Sequence, residues 1–261
     1  DVTFVRVADT EDAIGKVATT FYGDPTQRLK LVGVTGTNGK TTIATVLYHL
    51  FTELGFKCGL CSTVCNYIGT RAVPTEHTTP DPVTLNKLLG EMADEGCEYA
   101  FMECSSHAIH QKRIGGLDFA GALFTNLTRD HLDYHRSMEE YGAVKARLFH
   151  WQGLQNAVIN TDDAFGQQLC AELKRSESSL HVYSYGFNEQ ADIRITRFAA
   201  NPQGMAIDVE TPWGSGTAQT RLLGRFNAQN FAAALGALCA GGYDFQAALN
   251  ALSHIRPATG R

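Results

Sequence analysis

A glycine-containing loop with a lysine and two threonines follows the first long apolar run of the chain. The run Leu29 to Val34 leads into Thr35-Gly36-Thr37-Asn38-Gly39-Lys40-Thr41-Thr42, after which a helical pattern begins. A loop at such a junction offers backbone N–H groups to phosphates at a helix N-terminus. Lys40 would supply a point charge for the β and γ phosphates, and Thr41 a hydroxyl for Mg²⁺. The loop therefore predicts binding of ATP and Mg²⁺, with contacts from Gly36, Thr37, Asn38, Gly39, Lys40, Thr41 and Thr42.

One position departs from the general phosphate-loop pattern G-x-x-x-x-G-K-S/T. Val34 stands where that pattern has its first glycine. The alternative is an ordinary strand-to-helix loop that binds no ligand. The G-x-x-G-K-T core between a strand and a helix favours the phosphate site over that alternative.

A glutamate and several histidines follow two further apolar runs. Glu103 lies near the end of Tyr99 to Cys104, where its carboxylate could hold Mg²⁺ beside Thr41, unless it is only a solvated or capping side chain. Asp133 and His135 are interpreted as residues that cap the turn after Phe119 to Thr125. Because imidazole is an unusual ligand for Mg²⁺, the histidines by themselves suggest a transition-metal site. One competing function is therefore a metal-dependent hydrolase built on His107, His110, Asp130, His131 and His135.

Three cysteines have a C-x-x-C-x-x-x-C spacing that could supply ligands to a metal or an iron–sulfur cluster. They are Cys58, Cys61 and Cys65, but no fourth partner lies nearby and the flanking apolar residues indicate a buried strand. We interpret these thiols as structural. The chain has seven cysteines and no export signal, which favours reduced thiols over a disulfide framework.

Apolar runs bounded by turn residues alternate with helical patterns, as in parallel strands joined by crossover helices. The predicted strands are Leu29 to Val34, Tyr99 to Cys104, Phe119 to Thr125 and Ala157 to Asn160. The predicted helices are Thr41 to Leu54, Pro82 to Glu95, Met138 to Trp151, Asn227 to Ala240 and Phe245 to Leu252. From Ala191 to Leu223, short alternating segments predict an antiparallel hairpin. The fold class is α/β, a P-loop-type, mostly parallel sheet flanked by helices with a small antiparallel β appendage.

Composition excludes several classes of protein. The 261 residues are 44% hydrophobic and 19% charged, as in ordinary globular proteins. No window approaches the roughly 18 to 20 apolar residues of a membrane span, and the acidic, polar start has no signal-peptide layout. A net charge of −5 argues against a general nucleic-acid binder. We expect a cytoplasmic protein without a membrane or nucleic-acid partner.

Four motifs in order resemble those of the Mur ligases, whose relatives include the folylpolyglutamate and cyanophycin synthetases. The phosphate loop is the first, and the others are His77-Thr78-Thr79-Pro80-Asp81, Glu103-Cys104-Ser105-Ser106-His107 and Thr125-Asn126-Leu127-Thr128-Arg129-Asp130-His131-Leu132-Asp133-Tyr134-His135. They are most similar to the branch that makes UDP-N-acetylmuramoyl tripeptides. The resemblance implies an ATP-dependent amide ligase of peptidoglycan precursor synthesis. Its substrates would be ATP, UDP-N-acetylmuramoyl-L-alanyl-D-glutamate and a diamino acid, joined through an acyl phosphate.

The resemblance also implies roles for individual residues. The catalytic residues would be Lys40, Glu103, His131 and Lys145, and the metal ligands Thr41, Glu103, His131 and Lys145, the last as a carbamate formed with CO₂. The substrate-binding residues would be Thr78, Thr79, Ser105, Gln111 and Arg113, whereas His77 departs from the family's usual asparagine. Asn230 would meet the adenine and Arg261 the nucleotide. By pattern alone Lys145 is a helix-surface lysine, and Asn227 is as plausibly an N-cap.

The resemblance further implies a division of the chain into domains. Residues 1–25 correspond to the end of an N-terminal UDP-binding domain or linker, and residues 26–261 to a central ATP-binding domain. The C-terminal, amino-acid-binding domain would begin at Arg261 and is expected to be absent. We therefore expect a monomer that binds ATP but cannot complete ligation alone. A nucleotide-binding module without turnover is the second competing function.

Overall fold

Helices and strands alternate along the computed structural model, which describes residues 4–75, 77–201, 204–221 and 223–255. The helices are α1 Thr10–Phe21, α2 Pro25–Arg28, α3 Lys40–Glu53, α4 Pro82–Asp94, α5 Ser106–His110, α6 Met138–Ala146, α7 Ala164–Arg175, α8 Arg225–Ala240 and α9 Phe245–Ser253. The strands are β1 Lys30–Thr35, β2 Cys58–Cys61, β3 Asn66–Ile68, β4 Arg71–Val73, β5 Tyr99–Glu103, β6 Gly121–Phe124, β7 Asn156–Asn160, β8 His181–Gly186, β9 Ile193–Asn201, β10 Gly204–Thr211 and β11 Gly214–Thr220. Across these described parts of the chain, no helix combines the length and the apolar character needed to cross a membrane.

The strands form one sheet in the order β11-β10-β9-β8-β7-β6-β1-β5-β2-β3-β4. Pairing is parallel from β9 to β2 and antiparallel at both ends of the sheet. The predicted α/β class with a mostly parallel sheet is confirmed. The predicted hairpin consists of three strands, β9 to β11, and it continues the main sheet because β9 pairs with β8.

Two apolar cores cover the two faces of the sheet. Side chains of α3, α8 and α9 form one core with residues of the strands. Side chains of α4, α5, α6 and α7 contribute to the other. A parallel sheet must be buried on both faces, since its crossover helices pack there. Strand β1 lies inside this buried sheet, where it pairs with β5 on one side and with β6 on the other, so its position is well defined.

Two helix boundaries differ from the prediction by more than one residue. Helix α6 ends at Ala146 and a 3₁₀ turn follows at Arg147–His150, so the predicted helix to Trp151 is too long. The buried residues of that turn continue the apolar spacing and imitate a helical face. Helix α8 begins at Arg225, with Gly224 as its N-cap residue. The predicted N-cap role of Asn227 is wrong, because this residue lies inside the first turn.

Helix α1 packs closely against the loop that follows α5. A Cβ atom on Gly15 would lie only 2.4 Å from the carbonyl oxygen of Gly115. The helix begins with Asp9 as its N-cap, whose side chain accepts hydrogen bonds from the Glu11 and Asp12 amides. Glycine at position 15 therefore permits direct backbone contact between α1 and this loop.

Substituting Gly15 with alanine is expected to destabilise the protein by roughly 1–3 kcal/mol, because the added methyl group forces the two backbones apart. The urea midpoint measures the change. Gly121→Ala is a matched control, since its new Cβ would lie 3.7 Å from the nearest side-chain atom, an ordinary contact. Equal midpoints for Gly15→Ala and the wild type would contradict the close packing.

Candidate active site

The phosphate loop connects the carboxyl end of β1 to the first turn of α3. Val34 is a fully buried residue of β1, so the position that departs from the general pattern belongs to the core and not to the loop. Gly36 has φ of 142°, and a Cβ atom there would lie 1.9 Å from Thr125 Oγ1. Only glycine fits this position. The loop geometry therefore requires Gly36 but does not require a glycine at position 34.

Asn126 holds the middle of this loop. Its carbonyl oxygen accepts a hydrogen bond from the Thr37 amide at 2.8 Å. Its side-chain oxygen accepts one from the Asn38 amide at 3.0 Å. These two amides are therefore engaged within the protein. Because the first N–H groups of a helix have no intrahelical acceptor, the amides of Thr41 and Thr42 in the first turn of α3 are the better donors for a phosphate.

Thr41 and Glu103 form the side of the loop where a metal ion could bind. Glu103 of β5 is in register with Val34 of β1, which brings the carboxylate beside the start of α3. The Thr41 hydroxyl donates to Glu103 Oε2 at 2.9 Å. Glu103 is buried, and its oxygens together with a hydroxyl form a hard donor set that suits Mg²⁺. The residues present therefore fit this ion.

Lys145 lies beneath the same loop and is buried, which the helix-surface interpretation did not predict. Its Nζ donates to the carbonyl oxygen of Gly36 at 2.8 Å and lies 4.4 Å from the centre of the Tyr141 ring. Burial, and secondly the charge of Lys40, lower the pKa of Lys145 to about 6. The amine is therefore largely uncharged at neutral pH when it is unmodified.

His131 lines the same cavity as the phosphate loop. It has φ of 52°, an uncommon backbone conformation for a residue other than glycine, and its ring centre lies 5.0 Å from that of His107. Burial, and secondly the charge of His131, lower the pKa of His107. His135 is buried and its Nε2 lies 3.0 Å from Ser106 Oγ, so the turn-capping interpretation of His135 is wrong. The N-cap of the following helix is Ser137.

A second group of polar side chains lies next to Glu103. The Thr79 hydroxyl donates to the carbonyl oxygen of Glu103 at 2.8 Å, and Arg113 Nη1 donates to the carbonyl oxygen of Thr79 at 3.0 Å. Gln111 Oε1 accepts from Arg113 Nε at 2.9 Å. Ser105 caps α5, where its hydroxyl accepts from the Ala108 amide. The guanidinium group of Arg113 is thus fixed at the edge of the site.

These groups surround a cavity of about 410 Å³. The predicted site residues that line it are Thr37, Asn38, Gly39, Lys40, Thr41, Thr78, Thr79, Glu103, Ser105, Arg113 and His131. Three further lining residues were not among the site residues predicted for the ligase: Thr63, His77 and His107, the last of which was named only for the hydrolase alternative. Thr63 follows β2 and belongs to none of the recognised motifs, so the sequence alone gave no signal for it.

Several predicted residues lie outside the lining of this cavity. Gly36 belongs to the loop and Thr42 to the first turn of α3, whereas Lys145 donates to the Gly36 carbonyl oxygen and Gln111 accepts from Arg113. Asn230 of α8 lies next to the loop, where its Oδ1 would be 3.2 Å from a Cβ atom on Gly39. Arg261 lies outside the described residues.

The transition-metal alternatives receive no support from side-chain geometry. Within residues 4–75, 77–201, 204–221 and 223–255, no group of three or more His, Cys, Asp or Glu side chains is arranged to hold a metal ion. Burial raises the pKa of both Cys58 and Cys61 to about 12, which keeps these thiols protonated. The structural interpretation of the cysteines is therefore the simpler one.

Comparisons with known proteins point to one family. Residues 34–238 match the family model of the Mur ligase middle domain. The UDP-N-acetylmuramoyl-L-alanyl-D-glutamate--2,6-diaminopimelate ligase of Phocaeicola vulgatus is 52% identical, over 100% of this chain and 52% of that protein. The protein of the same name from Neisseria meningitidis is 50% identical, over 98% of this chain and 52% of that protein.

A solved structure of a protein with this name is also similar. It matches with a TM-score of 0.86 and 32% sequence identity, over 99% of this chain and 54% of that chain. The present chain therefore spans about half the length of the curated relatives that it matches.

Proposed function

The chain belongs to the Mur ligase family, and from this premise we propose that it is the ATP-binding part of a ligase that adds 2,6-diaminopimelate to UDP-N-acetylmuramoyl-L-alanyl-D-glutamate. One observation carries the proposal. The phosphate loop, the Thr41–Glu103 pair and the polar side chains around Arg113 meet in a single cavity. A nucleotide phosphate and an acidic substrate could therefore approach each other there.

The nucleotide would bind with its phosphates on the first turn of α3. The amides of Thr41 and Thr42 would donate to the phosphate oxygens, and Lys40 would neutralise charge on the β and γ phosphates. We propose that Asn230, which lies next to Gly39, meets the adenine, with Gly36, Thr37, Asn38 and Arg261 completing the nucleotide site. Transfer of the γ-phosphoryl group to the D-glutamate carboxylate would give an acyl phosphate, which the acceptor amine then attacks. Catalysis would depend mainly on positioning and charge stabilisation.

Magnesium bound here would neutralise charge on the transferring phosphoryl group. We propose that Thr41 and Glu103 hold one ion and that His131 and a carbamate of Lys145 hold a second. The uncharged amine of buried Lys145 supports the carbamate, because only a neutral amine adds to CO₂. An electron-density map tests this modification directly. Three further atoms on Nζ would support it, and a bare amine would contradict it.

The acidic substrate would bind on the Arg113 side of the cavity. Arg113 can bind a carboxylate or a pyrophosphate with two parallel hydrogen bonds. The hydroxyls of Thr78, Thr79 and Ser105 and the amide of Gln111 would complete this side. Its position next to Glu103 supports transfer between the two substrates without a protein nucleophile.

The domain division is also a proposal. Residues 26–261 would form the central ATP-binding domain of a monomeric enzyme, and residues 1–25 the end of a UDP-binding domain. In the relatives, which are about twice as long, a further domain would bind the diamino acid. The chain by itself would then bind ATP without completing ligation.

Isothermal titration with a non-hydrolysable ATP analogue tests the shared premise. The wild-type chain should bind the analogue in the presence of Mg²⁺ and bind it more weakly in EDTA. No binding under either condition would overturn the proposed function.

Hydroxylamine trapping separates ligase chemistry from its alternatives. With ATP, Mg²⁺ and UDP-N-acetylmuramoyl-L-alanyl-D-glutamate, an acyl phosphate should yield a hydroxamate that depends on the sugar dipeptide. A hydrolase would instead release phosphate without the dipeptide. Nucleotide binding without hydroxamate would favour the module without turnover.

A further inference from the structure

We infer that Thr63 is a positioning residue that fixes the orientation of the Glu103 carboxylate and connects it to the substrate side of the cavity. Thr63 is exposed in the loop after β2 and lines the cavity. The inference rests on the proposed function, since it concerns how the metal side and the substrate side of that site are joined.

Thr63 binds one of the two Glu103 carboxylate oxygens through two donors. Its backbone amide donates to Oε1 at 2.7 Å, and its hydroxyl donates to the same oxygen at 3.1 Å. The other oxygen, Oε2, accepts from the Thr41 hydroxyl at 2.9 Å. The two oxygens are therefore distinguished by their partners, and Oε2 is the one that faces the phosphate loop.

This arrangement restrains a torsion that is otherwise soft. The terminal χ3 torsion of glutamate is broad and roughly two-fold, so rotation about it exchanges the two oxygens at little cost. Two donors converging on Oε1 oppose that rotation, and bonds to an ionised carboxylate are about twice as strong as neutral ones. Thr63 therefore holds Oε2 beside Thr41 before any ion binds, so less orientation has to be gained on binding.

The Thr63 hydroxyl also touches the substrate side. Thr63 Oγ1 lies 3.2 Å from Thr78 Oγ1. A hydroxyl has a single proton but can accept two hydrogen bonds. Thr63 Oγ1 is the donor in both of its side-chain contacts, so its one proton goes either to Glu103 Oε1, the stronger acceptor, or to Thr78 Oγ1. The Thr63 hydroxyl therefore reaches both Glu103 and Thr78, which makes this side chain a bridge between the two halves of the site.

The test is the dependence of nucleotide affinity on Mg²⁺ in Thr63→Val. This variant keeps the backbone amide and the shape of the side chain but loses the hydroxyl. The wild-type ratio of dissociation constants in EDTA and in Mg²⁺ should fall by about tenfold, as expected for one hydrogen bond to a charged group. Affinity in EDTA should stay unchanged, and Thr63→Ser, which restores the hydroxyl, should recover the wild-type ratio.

Thr52→Val is the matched control, because its hydroxyl donates to the Tyr48 carbonyl oxygen within α3, away from the cavity. Since Thr63 is exposed, its substitutions should leave the fold intact, which circular dichroism checks. A wild-type Mg²⁺ ratio in Thr63→Val would overturn the inference while leaving the proposed function standing. Absence of nucleotide binding by the wild-type chain would instead reject the proposed function.

Discussion

Replacing Lys40 by alanine is expected to weaken binding of a non-hydrolysable Mg²⁺–ATP analogue about a hundredfold, equivalent to roughly 3 kcal/mol for a charge-assisted contact. Lys40 Nζ lies within the loop, where it donates to the carbonyl oxygens of Gly36 and Thr37 at 2.9 and 2.8 Å. Its ammonium group is thus positioned at the proposed phosphate site. Removal of this charge leaves the phosphates without their nearest cation from the loop.

The matched control is Lys87→Ala, which removes an exposed lysine of α4 and the same formal charge. Titration calorimetry should give this variant the wild-type affinity. Equal affinities for Lys40→Ala and the wild type would mean that the loop does not bind the phosphates. A loss of affinity in Lys40→Ala but not in Lys87→Ala would show that a local contact, and not the general electrostatic field of the protein, holds the phosphates.

Lys145→Met is expected to make the unmodified protein more stable at neutral pH and to flatten the pH dependence of its stability. Lys145 is fully buried, and its pKa falls from 10.5 to about 6, first because of burial. Methionine has a similar length and no charge to bury. The carbonyl oxygen of Gly36 keeps a donor, because Lys40 Nζ also binds it at 2.9 Å.

The sign of this effect follows from proton linkage. Between pH 6 and 10.5 the unfolded chain binds a proton at Lys145 that the folded chain does not, so the free energy of unfolding rises with pH. The free-energy cost of burying the Lys145 amine is complete below pH 6 and disappears above pH 10.5, the pKa of this group in the unfolded chain. The expected slope is about 1.4 kcal/mol per pH unit for this single group.

Urea unfolding at pH 7.0, ~7.8 and ~8.5, in metal-free and bicarbonate-free buffer, measures the difference between the variant and the wild type. Taking the difference removes the contribution of other groups, including the histidines whose pKa is lowered by burial. Lys87→Met serves as the control because that side chain is exposed. Parallel pH profiles for Lys145→Met and the wild type would show that the buried amine is not the source of the pH dependence of stability.

The sequence was informative about the sheet centre because local and non-local preferences agree there. The apolar run at β1, the glycine-containing loop and the periodic apolar face of α3 predict the same junction, and the structure contains it. Helix α7 and strand β8 were not predicted. Strand β8 begins with an exposed histidine and has no clear apolar alternation, whereas α7 has buried Leu169, Cys170 and Leu173 at helical spacing, a pattern that the prediction overlooked.

The site was predicted only where a residue type or a motif marks its chemistry. Lys40, Thr41 and Glu103 were recognisable in this way, and they do meet in the cavity. Thr63 and Asn126 act through hydrogen bonds to partners far away in sequence, and nothing in their own type marks such a contact. The burial of Lys145 depends on how α6 packs, which periodicity does not reveal.

The position of β1 between two parallel neighbours has a consequence for how the protein reaches its native state. The phosphate loop follows β1, Glu103 lies in β5, and Asn126, which binds the loop, lies in the segment after β6. Pairings between such distant segments form late, because chain closure has to come first. A chain in which β1 is still unpaired lacks the proposed nucleotide site. A nucleotide that binds the proposed site therefore cannot guide the early steps of folding, and it would act only by stabilising the finished sheet.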